Sequence, residues 1–179
     1  MLRITNPDEI EQIVYIPRSL GKRIKRECQL MHDKYDSLFI EYTLDGNIHI
    51  GFTKSRHEYI FHINKNYPFT CPRVTINGLN QYNFFKVPSN RFKTILQYIS
   101  GLQCLCCDSV LCANNWGPAI TLYKIVNQIE EYKKIKLNIQ QKILADQIKQ
   151  KYLNRDIDLD SWLFTISVPR LCLPNKQYH

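Results

Sequence analysis

The segment Gly101-Leu102-Gln103-Cys104-Leu105-Cys106-Cys107-Asp108-Ser109-Val110-Leu111-Cys112 places four cysteines between positions 104 and 112. Three chemistries suit thiols at that density. An accessible cysteine attacks as thiolate and is a tolerable leaving group, so it supports thioester exchange where a hydroxyl does not. Cys104, Cys106 or Cys107, and Cys112 offer three thiolates to zinc. The Cys-x-Cys-Cys-x4-Cys pattern lacks the paired Cys-x2-Cys knuckles of structural zinc sites, so His ligands would have to come from elsewhere. Buried cysteines, finally, behave as small hydrophobes, the reading expected for Cys28, Cys71 and Cys112.

The residues around this cluster narrow the choice. Tyr67-Pro68-Phe69-Thr70-Cys71-Pro72 precedes it, and Trp116-Gly117-Pro118-Ala119 follows and opens a helical stretch. A Tyr-Pro-Phe turn, a Cys-Leu pair set on a glycine and Trp-x-Pro-Ala, in this order and rough spacing, resembles the ubiquitin-conjugating enzyme family over roughly residues 17 to 135. The resemblance implies that ubiquitin or a ubiquitin-like protein arrives from an activating enzyme, is held as a cysteine thioester, and passes to lysine alone or with a ligase. Cys104, with Gly101 before it and Leu105 after it, matches the family's nucleophile. Cys107 is the alternative because its spacing to Trp116 is tighter, and Cys106 comes third. By the same resemblance the basic first helix, through Lys22, Arg23 and Arg26, meets the activating enzyme. Phe69, Trp116, Gly117 and Pro118 fall in the loops that meet ligases, with Trp116 itself reading as a core anchor. The chain departs from the family where His-Pro-Asn is expected. Val87-Pro88-Ser89-Asn90 is the nearest approach, has no His, and puts Asn90 fourteen positions before Cys104. Asn90 is the candidate donor to the oxyanion. That departure supports a second reading, an inactive variant that binds ubiquitin or scaffolds other proteins. No metal or cofactor is expected on either reading.

Composition sets the class. A chain of 179 residues, 44% hydrophobic and 22% charged, fits one soluble domain with an extension. The formal charge of +8 raises nucleic acid as a partner. The basic residues are dispersed, however, and no helix-turn-helix, zinc-finger or phosphate-cradling motif appears, so nucleic-acid binding is not expected. No apolar run is long enough to cross a membrane, and Met1-Leu2-Arg3-Ile4-Thr5-Asn6-Pro7 has no signal-peptide core. The expected compartment is the cytoplasm. Heavy use of Asn, Ile, Lys and Tyr fits an AT-rich coding genome such as a protist's or a large virus's, in which case the cytoplasm is the host's.

The elements that must position the cysteines follow in order. Residues 1–16 form an N-terminal segment, with Pro7-Asp8-Glu9-Ile10-Glu11 as a short acidic helix start. Pro17 and Ser19 introduce an amphipathic helix whose apolar face is Leu20, Ile24, Cys28 and Met31. Ser37–Thr43, Ile48–Phe52, Glu58–Ile63 and Arg73–Ile76 read as strands at hairpin spacing, the first two joined by Asp45-Gly46-Asn47. Four antiparallel strands after one helix and before others predict an α+β fold of the ubiquitin-conjugating type, with a core domain at 17–135. Pro68 and Pro72 make the Tyr67-Pro68-Phe69 loop rigid. Phe69 either presents itself to a partner or plugs the end of the core. Phe92, Ile95, Leu96 and Ile99 predict an inserted helix at 91–100 that packs near the cysteines. Beyond Ile120, an apolar stripe continues through Leu122, Ile125, Val126, Ile129 and Tyr132 to Ile139 and Ile143. It predicts one long helix or two with a break near Lys136, the latter part belonging to an extension at 136–179. Asp158-Leu159-Asp160-Ser161-Trp162-Leu163-Phe164 reads as an apolar anchor, and 168–179 as irregular.

Overall fold

The computed structural model describes residues 2–4, 16–32, 34–43 and 45–152. The acidic start at 7–11, the apolar anchor at 158–164 and the irregular end at 168–179 lie outside the described residues. The elements run β1 (Leu2–Ile4), α1 (Arg18–His32), β2 (Asp36–Tyr42), β3 (Ile48–Lys54), β4 (His57–Ile63), β5 (Arg73–Ile76), β6 (Leu79–Asn80), α2 (Gln81–Phe85), α3 (Asn90–Ser100) and α4 (Leu122–Tyr152). The chain divides into two compact units, Met1–Ile135 and Lys136–His179. No helix among the described residues is long and apolar enough to cross a membrane.

The α+β class is present, and the expected four strands are the centre of a larger sheet. All neighbours pair antiparallel in the order β1-β2-β3-β4-β5-β6. The count of four is therefore corrected to five strands, extended by the two-residue β6. β1 has three residues and β6 two, too short to show alternation. β6 pairs with β5 through a two-residue turn, Asn77-Gly78, in which both residues take positive φ.

Period-2 alternation gives the sheet one apolar face. Ile48, Ile50 and Phe52 of β3, Tyr59, Phe61 and Ile63 of β4, and Val74 and Ile76 of β5 are all buried. Tyr35 stacks on Phe52 at 4.5 Å, and Phe52 on Tyr59 at 5.1 Å. Helix α1 buries Leu20, Ile24, Cys28 and Met31, as their spacing predicts. The start of α4 buries Leu122, Ile125, Val126, Ile129 and Tyr132. Tyr59 of the sheet donates to Glu130 of α4, and Lys133 Nζ reaches both partners. Phe39 is buried on the opposite face because its ring lies over Gly51, where a Cβ would meet it at 2.1 Å. On that face His49 and His62 meet edge to face at 4.6 Å.

A carboxylate joins the helices to the loop before β5. Glu27 is 1% exposed and lies on the apolar face of α1. Its Oε1 accepts from the Tyr67 hydroxyl at 2.9 Å and pairs with Arg23 Nη2 at 2.6 Å. Its Oε2 accepts from the Leu122 N–H at 2.9 Å. The same Arg23 Nη2 donates to the Ile120 carbonyl at 2.9 Å. One buried anion thus satisfies an N–H at the start of α4, where the helix dipole also favours negative charge.

The sequence-predicted inserted helix is α3, starting one residue earlier. Ser89 Oγ caps it by accepting from the Phe92 N–H at 3.2 Å. Phe92 and Leu96 are fully buried, but Ile99 is 42% exposed, so the apolar stripe is shorter than its spacing predicts. Helix α4 is continuous past Lys136. Tyr132-Lys133-Lys134-Ile135-Lys136-Leu137 holds no Gly or Pro to break it.

Two stability measurements follow. Glu27→Ala removes the counter-charge of Arg23 and the acceptor of two further donors. It should destabilise the protein by about 3 kcal/mol in a denaturant titration, at the low end for a broken buried pair because Arg23 keeps some access to water. On the outer sheet face, burial, His49 and Arg73 hold the pKa of His62 below the ordinary imidazole value. The folded state then binds that proton less readily than the unfolded chain. Its contribution is present above about pH 6.5 and is lost as pH falls through the unfolded value towards the folded one. Thermal midpoints taken from about pH 7.5 down to about pH 5 should fall across that window, and fall less in His62→Gln.

Candidate functional site

The cysteine segment leaves α3 through Gly101, which ends the helix in the left-handed conformation (φ +70°) and donates its N–H to Gln97 O at 2.9 Å. The chain then folds into one tight turn. The Asp108 N–H donates to Cys104 O at 3.0 Å, and the Ser109 N–H to Cys106 O at 3.3 Å. Asp108 closes the turn from the other side, its Oδ2 accepting from the N–H groups of Gln103 at 2.9 Å and Cys104 at 3.0 Å. Leu105, fully buried, and Leu111 pin the segment to the core.

Two amides clamp it further. Asn115 Nδ2 donates to the carbonyls of Cys107 at 2.7 Å and Ser109 at 3.0 Å. Gln128 Oε1, on α4, accepts from the Ser109 hydroxyl at 3.2 Å and the Val110 N–H at 2.8 Å. The result is a surface turn whose backbone is held by three side chains at five points while its thiols remain reachable. Cys104 and Cys106 are half-buried, and Cys107 is exposed.

The thiols differ in electrostatics. The Cys107 N–H hydrogen-bonds the Cys104 sulfur, and the Cys106 N–H and Cys107 thiol add to it. Together they outweigh partial burial and the Asp108 charge and lower the Cys104 pKa. Donating to Cys104 and facing its charge raises Cys107. Burial, with the charges of Cys104 and Cys112, raises Cys106. Cys71 is pushed up to about 12 by burial and by Cys112, and Cys28 to about 12 by burial and by Glu27. Of these five, Cys104 is the thiol predisposed to ionise.

The flanking loops are joined by one bond. Trp116 Nε1 donates to Pro68 O at 2.8 Å, and its ring lies 6.2 Å from that of Tyr67. Trp116 is therefore a structural anchor. Phe69, one residue beyond Pro68, is 80% exposed, which excludes it as a plug of the core. Gly117 is half-buried and Pro118 exposed, beside the anchor in sequence.

The remaining candidates separate. Lys22 and Arg26 are exposed on α1, whereas the Arg23 guanidinium is engaged with Glu27 and Ile120 and lies 5.7 Å from the Tyr67 ring. Arg23 thus holds the frame together. Asn90 is the exposed first residue of α3, while Cys104 follows that helix's other end, about 15 Å further along its axis. Asp108, Asn115, Gln128 and Glu27 shape the site without having been singled out in the sequence. Asp108 and Asn115 flank the cysteines closely enough to have suggested turn chemistry. Among the described residues, no group of three or more His, Cys, Asp or Glu side chains is arranged to hold a metal ion.

No family model, curated protein or solved structure matches this chain.

Thiolate stabilisation sets the order of alkylation. At about pH 7 Cys104 should react with iodoacetamide several-fold faster than Cys106 or Cys71, because its larger thiolate fraction outweighs its somewhat lower intrinsic nucleophilicity. Peptide mass spectrometry of a timed reaction reads the order directly. Equal rates at Cys104 and Cys71 would refute the electrostatic assignment.

Proposed function

We propose that the protein is a ubiquitin-conjugating-type carrier whose nucleophile is Cys104. The observation that carries this reading is an accessible thiol on a turn braced by Asp108, Asn115 and Gln128, with a pKa that the backbone N–H groups of the turn lower. The arrangement of a basic helix, an antiparallel meander and a Tyr67-Pro68-Phe69 loop bonded to the Trp116 loop supports it. Two hollows of the surface are lined by Leu20, Tyr42 and Asn64 and by His49, His62 and Arg73. Neither includes a residue of the cysteine turn, and an open thiol suits a macromolecular acyl donor better than an enclosed small substrate.

On this reading the Cys104 thiolate attacks the thioester carbonyl between the activating enzyme and the carboxyl end of ubiquitin or a ubiquitin-like protein. A new carbon–sulfur bond forms, and the activating enzyme's thiolate leaves. A lysine amine then attacks the Cys104 thioester, an isopeptide bond forms, and Cys104 departs as thiolate. Each attack builds an oxyanion beside the sulfur. The N–H groups of Cys106 and Cys107, on the same turn and favouring a charged Cys104 sulfur, are nearer to it than Asn90 at the far end of α3. Exposed Lys22 and Arg26 offer a surface for the activating enzyme, and Phe69 with Pro118 a surface for a ligase. The cytoplasm is where these partners meet.

A charging assay tests the reading. With activating enzyme, ATP and ubiquitin, the wild type should form an adduct that thiol reductant removes. Cys104→Ala should abolish it, and Cys104→Ser should convert it to a reductant-resistant ester. Cys106→Ala and Cys107→Ala should still charge. Absence of any adduct from folded protein, across several activating enzymes and modifiers, would replace the enzyme with the non-catalytic binding or scaffolding module.

A further inference from the structure

Cys104 and Cys107 stand three positions apart on one helical turn, the turn closed by the Asp108 N–H on Cys104 O at 3.0 Å. Residues at that spacing share a face, whereas residues two apart do not. Cys107 accordingly lies on the Cys104 side of the turn, and the ionisation of each thiol responds to the other. An ideal helical turn separates such Cβ atoms by about 5–6 Å, and a disulfide needs about 3.5–4.5 Å, so closure asks for a small tightening of one surface turn. Cys107 is exposed, which leaves its sulfur room to move.

We propose that Cys104 and Cys107 are a dithiol that exchanges with low-molecular-weight disulfides and closes into a reversible intramolecular disulfide. The steps balance without a further reactant. The Cys104 thiolate attacks one sulfur of RS–SR, forming the Cys104 S–SR bond and releasing RS⁻. The Cys107 sulfur then attacks the Cys104 sulfur, its proton passing to the released thiolate. The Cys104–Cys107 bond forms and the second RS⁻ leaves. Two protein thiols are oxidised and one RS–SR is reduced to two thiols, and a reducing dithiol reverses the sequence. The asymmetry of the pair sets the order of events. Cys104, whose pKa backbone N–H groups lower, makes the first attack, and Cys107, whose pKa is raised, resolves the mixed disulfide. Cys71, near Cys112 but buried and held as thiol, lacks that activation. In a reducing compartment such a pair is a sensor rather than a permanent staple.

This inference does not rest on the ubiquitin reading, and either can fail alone. If both hold, the closed disulfide removes the nucleophile and stops charging until it is reduced.

The test incubates the full chain in glutathione buffers of stepped oxidised-to-reduced ratio, followed by acid quench and intact mass. Differential alkylation with fragment-ion sequencing then locates the bond, since residues 94–124 leave trypsin as one peptide holding all four clustered cysteines. The wild type should lose two hydrogens, at Cys104 and Cys107, and regain them with a dithiol reductant. Cys107→Ser should halt with one glutathione on Cys104, and Cys104→Ser should take up glutathione at least tenfold more slowly. Cys106→Ser, near-UV circular dichroism confirming its fold, should close at the wild-type ratio within twofold. A wild type that halts with one glutathione as Cys107→Ser does, that stays reduced throughout, or whose bond falls on Cys106 or Cys112 overturns the proposal.

Discussion

The fold depends on a buried negative charge. Removing Glu27 from water carries a penalty of several kcal/mol, which only close partners offset. It has three, the Tyr67 hydroxyl, the Leu122 N–H and the Arg23 guanidinium. They come from the Tyr-Pro loop, the start of α4 and the next turn of α1. Leaving any one unmet exposes a charge or an N–H to an apolar interior, so the three segments assemble together. Burial and the neighbouring carboxylate raise the Tyr67 phenol well above its ordinary pKa, which keeps it a donor throughout the neutral range.

The cysteine turn inherits that rigidity. Gln128 sits two turns along α4 from Leu122, and Trp116 leans on the loop that Tyr67 anchors. A thiolate held by N–H groups is stabilised only while those groups keep their direction. Asp108 and Asn115 fix the backbone on either side of the sulfur, and Gln128 fixes the residues just beyond. The lowered pKa of Cys104 therefore depends on side chains elsewhere on the turn and on α4.

The longer periodic elements were legible in the sequence. Helix α1, strands β2 to β5, helix α3 and the first part of α4 announce themselves through apolar spacing. Glu27 falls on the stripe Leu20, Ile24, Cys28 and Met31 by spacing, yet its charge argued for solvent, and only the Tyr67 and Leu122 donors reverse that. Ile99 fits the stripe of α3, but that helix buries fully only Phe92 and Leu96. β1 and β6 are too short for alternation. At the site, the prominence of Cys104 was readable from the glycine and leucine around it, whereas its electrostatics arise from the backbone turn that Asp108 closes. The Cys-x-x-Cys spacing of Cys104 and Cys107 was present too, hidden by Cys106 between them.

The bond from Trp116 to Pro68 carries a consequence for recognition. Two neighbouring surface loops that would otherwise wander independently are joined at their bases, so Phe69 and Pro118 project from a common support. Ordering a flexible side chain at an interface costs about 0.5–1.5 kcal/mol, and ordering a loop costs more. Here the loop contribution is met during folding, leaving only the Phe69 ring to be immobilised when something docks. A partner gripping that ring would gain in residence time, and the two loops would respond to it as one rigid lip.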